Sequence, residues 1–253
     1  YKLNLNTLNL TTKNTTIMDF TTKKNHIYNN KLYVFGGTFY NQYDLDLNEE
    51  LIGTAYNINN YFSRAGTCID DHNVYIVGGS LAVPLNDDVK KIYRLNLNTN
   101  AIAEVATMSK NRWFASAEII NNKIYSFFGV EVLYPPEERN ILHNNIQIYD
   151  LTTNSFELIN IENNIYYSFT AKYDNYIFVA GIKVLNPNEG DLTGSYFGYF
   201  DTTTNSLHEI EISTENNTYD FPYFCEIEIM NNKIYALMKD AENNYSIQVA
   251  NLN

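Results

Sequence analysis

The chain has 253 residues and a mass of 29.2 kDa, and its 17 Lys and Arg against 29 Asp and Glu leave a net charge of −12. That acidity argues against nucleic acid as a partner, and the apolar runs fall well short of the ~18 residues that a membrane span needs. A hydrophobic fraction of 45% with only 18% charged residues supplies a sizeable core and excludes a disordered chain. Cys68 and Cys225 are too few and too far apart for a disulfide framework and decide nothing about compartment. The expectation is a soluble monomer, cytoplasmic rather than secreted. No basic-then-apolar leader follows Tyr1, so any targeting segment is expected outside this numbering.

In chain order, Tyr1 to Thr7 (YKLNLNT) comes first and matches Tyr93 to Thr99 (YRLNLNT). Five segments then superpose without gaps: NNKLYVFGG from Asn29, DHNVYIVGG from Asp71, NNKIYSFFG from Asn121, YDNYIFVAG from Tyr173 and NNKIYALMK from Asn231. Each reads as a tight turn followed by a strand. Their third positions, Lys31, Asn73, Lys123, Asn175 and Lys233, stand 42, 50, 52 and 58 residues apart. A second motif recurs between them, as YDLDLNEELI from Tyr43, YRLNLNTNAI from Tyr93, IYDLTTNSF from Ile148 and YFDTTTNSL from Tyr199. Its Asn- and Thr-rich centres suit a hairpin turn between two alternating strands. A third element, such as GTCI from Gly66, ASAEII from Ala115 and CEIEIM from Cys225, precedes each turn.

Each repeat therefore holds four short strands, named a to d in chain order, without a helical period anywhere. A repeat near fifty residues built this way is one blade of a propeller. The predicted fold is an all-β propeller, one domain over residues 1–253, with a partial repeat at 1–14 and repeats at 15–57, 58–107, 108–160, 161–213 and 214–253. Because the chain starts in a c strand and Ser246 to Asn253 is again a c strand, the expected closure sets Leu8 to Lys13 beside Ser246 to Asn253 as the missing d strand. Five blades follow; a chain continuing upstream makes the opening stub part of a sixth.

The Gly36-Gly37 and Gly78-Gly79 doublets at the ends of apolar b strands, each followed by an aromatic c strand, resemble the kelch-repeat family of β-propellers over nearly the whole length. The pattern thins to Phe128-Gly129, Ala180-Gly181 and Met238-Lys239, and Leu51, Ile102, Phe156 and Leu207 stand where kelch blades carry a d-strand tryptophan. The resemblance also places Arg64 and Arg112 at a position ahead of strand a where kelch repeats often carry arginine. It implies a non-catalytic protein-recognition module. Some kelch relatives are copper oxidases, but His26, His72, His143 and His208 fall in different blade positions, and neither a metal nor any other cofactor is expected.

The b–c and d–a loops of such blades emerge on one face. Long b–c insertions at Ser80 to Lys90, Val130 to Asn145 and Ile182 to Ser195 carry Asp87, Asp88, Tyr134, Glu137, Glu138, Arg139, Glu189 and Asp191, and point to a protein partner with a basic surface. Solvated acidic loops are the bland alternative. The d–a segments are aromatic, with Phe114, Tyr166 and Phe224 at one repeat phase, which suggests packing between blades, and with Trp113 one position off. Trp113, Arg64 and Arg112 form a candidate site for a sugar or a carboxylate at the channel mouth. Kelch relatives that interconvert sialic acid anomers use a few channel acids and arginines, and in strand a Glu118 and Glu226 are the matching acids here. Channel solvation is their ordinary role.

Overall fold

In the computed structural model the described residues are 2–4, 9–11, 24–36, 39–44, 50–55, 62, 64–79, 90–133, 139–186, 191–211, 223–239, 242 and 244–252. A short hairpin opens the chain, β1 (Lys2–Asn4) with β2 (Asn9–Thr11). Blade one follows as β3 (His26–Tyr28), β4 (Lys31–Phe35), β5 (Phe39–Asp44) and β6 (Glu50–Ala55), and blade two as β7 (Gly66–Asp70), β8 (Asn73–Val77), β9 (Lys91–Asn96) and β10 (Ile102–Thr107). Blade three is β11 (Ser116–Ile120), β12 (Lys123–Phe127), β15 (Asn145–Asp150) and β16 (Ser155–Asn160), with a separate hairpin of β13 (Val130–Leu133) and β14 (Arg139–Leu142) inserted between its second and third strands. Blade four is β17 (Ile165–Tyr173), β18 (Tyr176–Asn186), β19 (Asp191–Asp201) and β20 (Ser206–Glu209). Blade five has three strands, β21 (Tyr223–Met230), β22 (Lys233–Lys239) and β23 (Tyr245–Asn251). The chain is a five-bladed β-propeller of antiparallel blades. Among the described residues no helix is long and apolar enough to cross a membrane.

The blades stack because each b strand alternates its side chains between two neighbours. Val74 and Ile76 of β8 join Tyr33, Phe35 and Tyr93 in a core between blades one and two. Tyr75 and Val77, the intervening residues, join Cys68, Ile119 and Ile124 between blades two and three. The same alternation puts Tyr125 and Phe127 with Val179 and Phe200 between blades three and four, and Ala180 with Phe224 and Ile234 between four and five.

Turn chemistry explains the Asn-rich punctuation. At the a–b turns Asn29 and Asn30, Asn121 and Asn122, and Asn231 and Asn232 all have φ between 48° and 61°. Both central residues of a type I′ hairpin turn need that conformation, which Asn tolerates better than other side-chain-bearing residues. The c–d turns put Asn100, Asn154 and Asn205 in the same region. There the carboxylate of Asp150 accepts from the N–H groups of Thr152 and Thr153 at 2.8 and 3.1 Å.

The glycine doublet of blade two has a neighbour to accommodate. Gly79 N–H donates to Arg112 O of blade three at 3.0 Å, and a Cβ on Gly78, at φ +66°, stands 2.5 Å from that same oxygen. Gly78→Ala is therefore expected to cost about 2–4 kcal/mol, from the left-handed backbone and the backbone clash together, as read by urea unfolding.

The ends differ from the sequence expectation. Asn9–Thr11 pairs with Lys2–Asn4, a c strand with its own d strand, instead of lying beside β23. The local hairpin closes a much shorter loop than a pairing across the chain. All seven residues of β23 are exposed, Tyr245 at 62% and Val249 at 52%, and among the described residues β23 is the outer strand of blade five.

Candidate functional site

The inner a strands of blades two to five stand in sequence around a central channel, β7 against β11, β11 against β17, β17 against β21. The d–a and b–c connections form one mouth, and the a–b turns form the other.

At the first mouth, a residue just ahead of strand a in blades two and three, and at the bulge near the start of strand a in blade four, is left-handed. Arg64 has φ 62°, Phe114 φ 58° and Tyr167 φ 52°. None is Gly or Asn, and for such side chains this conformation costs about 1–2 kcal/mol each. What the conformation achieves is an arc. The guanidinium of Arg64 lies over the Phe114 ring at 4.7 Å and over Trp113 at 5.7 Å, and the Phe114 ring stands 4.4 Å from Tyr167 and 5.9 Å from Tyr166. Phe114 N–H donates to Arg64 O at 2.9 Å, joining the two loops. Arg64 is exposed and the four rings are half-buried. The indole N–H of Trp113 is buried and has no acceptor among the described residues.

The sequence aligned Phe114 with Tyr166 and Phe224. A bulge between Tyr166 and Phe169 slips blade four by one place, so Tyr167 is the closer ring to Phe114. Phe224 is buried against Phe197 between blades four and five. The left-handed backbone of Phe114 and Tyr167 leaves no mark in a single sequence.

Arg112 does not join this arc as a second ligand-gripping arginine. It is 1% exposed. Its Nη1 donates to Phe128 O at 2.7 Å and Asn145 O at 3.4 Å, and its Nη2 donates to Asn145 Oδ1. The guanidinium ties the b–c connection of blade three to the d–a loop, and burial lowers its pKa to about 10 against the opposing pull of Glu131. Below it His143 donates from Nε2 to Asn111 O at 2.9 Å. Burial first, and then the Arg112 charge, depress the His143 pKa to about 4.

Inside the channel, Lys24 of blade one reaches across to blades three and four. Its ammonium meets Glu118 Oε1 at 2.5 Å and Thr170 O at 2.9 Å. Burial pushes the Lys24 pKa down, but attraction to Glu118, Glu228 and Glu226 overrides it and holds the amine above its ordinary range. Glu118 is 3% exposed. Glu226 accepts from Ile227 N–H at 3.1 Å and lines, with Lys24, Ser116 and Thr170, a cavity of about 10 Å³, room for one water. Beside this strut His26 donates from Nε2 to Thr67 Oγ1 at 3.0 Å, and Thr67 donates to Lys24 O at 3.0 Å. Burial, helped by the charges of Lys24 and Lys172, lowers the His26 pKa to about 3. Lys24 was invisible in the sequence because nothing there says which side chain crosses a channel; its signal was a lysine at the inner-strand phase of Ser116, Ser168 and Glu226.

No protein-family description matches this chain, and neither does any curated protein. In fold it is similar to YjhT. The solved structure of YjhT aligns at a TM-score of 0.62 with 13% identity, over 92% of this chain and 82% of that one. Identity that low shows a shared propeller architecture.

Two b–c connections project beyond the blades at the same mouth as the arc. In blade three β13 pairs with β14 from Val130 opposite Leu142 to Leu133 opposite Arg139, and Trp113 bridges Val130. In blade four β18 and β19 run 11 residues each, and pair outward to Asn186 opposite Asp191. Glu131, in β13, pairs with Lys110 at 3.2 Å. Arg139 begins β14 and Asp191 begins β19, whereas Asp87, Asp88, Tyr134, Glu137, Glu138 and Glu189 lie outside the described residues. Among the described residues no group of three or more His, Cys, Asp or Glu is placed to hold a metal. Cys68 is a buried free thiol whose pKa burial pushes up.

Proposed function

We propose that this chain is a kelch-type propeller acting as a protein-recognition module through the mouth formed by its d–a and b–c connections. The observation that carries the reading is the arc of Arg64, Phe114 and Tyr167, three left-handed side-chain-bearing residues in adjacent blades that stack on one another. Backbone strain of this kind persists where side-chain placement is worth more than stability. Half-buried aromatics beside an exposed arginine are the residue types that anchor protein interfaces. The hairpins of blades three and four stand next to the arc, and their acidic residues suit a partner whose rim is basic.

Chemistry inside the channel has less support. An acid there needs to be free to exchange protons with a substrate. Glu118 is instead held by Lys24 across the channel.

The test is selection of peptides from a displayed random library on the wild-type domain. Enriched peptides are expected to bind Arg64→Ala and Tyr167→Ala at least about tenfold more weakly, the size of a hot-spot loss. Peptides that bind both variants as well as the wild type place recognition elsewhere.

A further inference from the structure

The opposite mouth of the channel holds an open cleft of about 520 Å³, bounded by blades two to five at their a–b ends. That volume lies within the range of small-molecule sites. Its rim carries Asp70, Asn121, Lys172, Asp174 and Asn231, and its apolar wall includes Ile119 and Ile229. Part of this polarity has a local explanation. Asn121, Asp174 and Asn231 have φ between 50° and 52°, so the turns themselves ask for Asn or Asp.

Asp70 and Lys172 have no such reason. They occupy one strand phase, the third residue before each repeat marker, where blades one, three and five carry Tyr28, Ile120 and Met230. Both are exposed to the cavity mouth. Lys172 Nζ donates to Ile119 O at 3.0 Å, which uses one of the three donors an ammonium has. The rim thus combines carboxylate acceptors, an ammonium with donors to spare and amides that both donate and accept. A hydroxyl also does both, so a ligand carrying several adjacent hydroxyls matches this set without a net charge. Two carboxylates against one ammonium disfavour an anion, and the isoleucine wall suits the C–H face of a sugar ring.

We propose that the a–b mouth is a second binding site, independent of the arc, for a small neutral saccharide. The probes are methyl glucoside, methyl mannoside, methyl galactoside, N-acetylglucosamine and maltose, with N-acetylneuraminate as the anionic comparator, followed by saturation-transfer NMR and titration calorimetry on the whole chain. At least one neutral sugar is expected to bind saturably, about tenfold more weakly to Asp70→Ala and to Lys172→Met, and equally to wild type and Arg64→Ala. Thermal unfolding checks that both rim variants fold. The proposal is overturned by absence of binding for every neutral sugar at concentrations on the order of 10 mM, by stronger binding of N-acetylneuraminate than of all of them, or by binding that neither rim variant weakens.

Discussion

Replacing Arg112 by alanine is expected to destabilise the propeller by about 3–5 kcal/mol, the scale of breaking a buried, hydrogen-bonded charged group. Phe128 O and Asn145 Oδ1 each lose the Arg112 donor at once, and Asn145 O is left with the N–H of Phe128. A cavity the size of a guanidinium opens between the d–a loop and the b–c connection of blade three. The effect is read as a fall in the urea midpoint at constant slope. Arg64→Ala, an exposed change, is expected to stay within about 0.5 kcal/mol. The contrast separates the two arginines that the sequence grouped together. If Arg112→Ala unfolds like the wild type, the guanidinium is not a structural tie.

Acid is expected to weaken the fold before it protonates most carboxylates. His26 and His143 titrate near 3 and 4 in the folded chain and near 6.5 once unfolded. Between those values the unfolded chain binds more protons, so stability is full above pH 6.5 and falls as the pH drops below it. For each histidine the loss is about 1.4 kcal/mol per pH unit, so moving from pH 7 to pH 5 costs on the order of 4 kcal/mol for the pair. Glu228 works in the opposite sense: partial desolvation raises its pKa against the pull of the Lys24 charge, with the nearby Glu118 adding to the rise, so protonation there favours the folded state. Its side chain is open to solvent, which keeps its share small. Urea unfolding across pH 5 to 7 measures the sum, and His143→Gln and His26→Gln are each expected to reduce the slope by about one proton. A pH-independent midpoint over that window would contradict the placement of both rings.

The architecture was legible because it rests on local rules. Asn-Asn pairs marked the a–b turns through their left-handed backbones, and the recurring apolar run after each turn marked the b strands, among them the one that holds Val74 and Tyr75. Features that depend on distant parts of the chain were not legible. Arg112 and Arg64 look alike in sequence, yet one points into the blade and the other stacks on Phe114. The bulge that brings Tyr167 to Phe114 shifts a register by one residue without altering composition. Lys24 meets its partners 94 and 146 residues away. The expected closure beside Ser246 to Asn253 failed for a related reason, since both Lys2–Asn4 and that segment are c strands and the nearer one pairs with Asn9–Thr11.

The most direct measurement of the recognition reading is made on Arg64→Gly, comparing unfolding free energy and affinity for the selected peptides in one preparation. Glycine relieves the left-handed strain and removes the guanidinium, so stability is expected to hold or rise by up to about 1 kcal/mol while affinity falls at least about tenfold. A variant that loses stability and keeps its affinity would show that Arg64 is there for the fold, and that the mouth it guards is not where this protein recognises its partner.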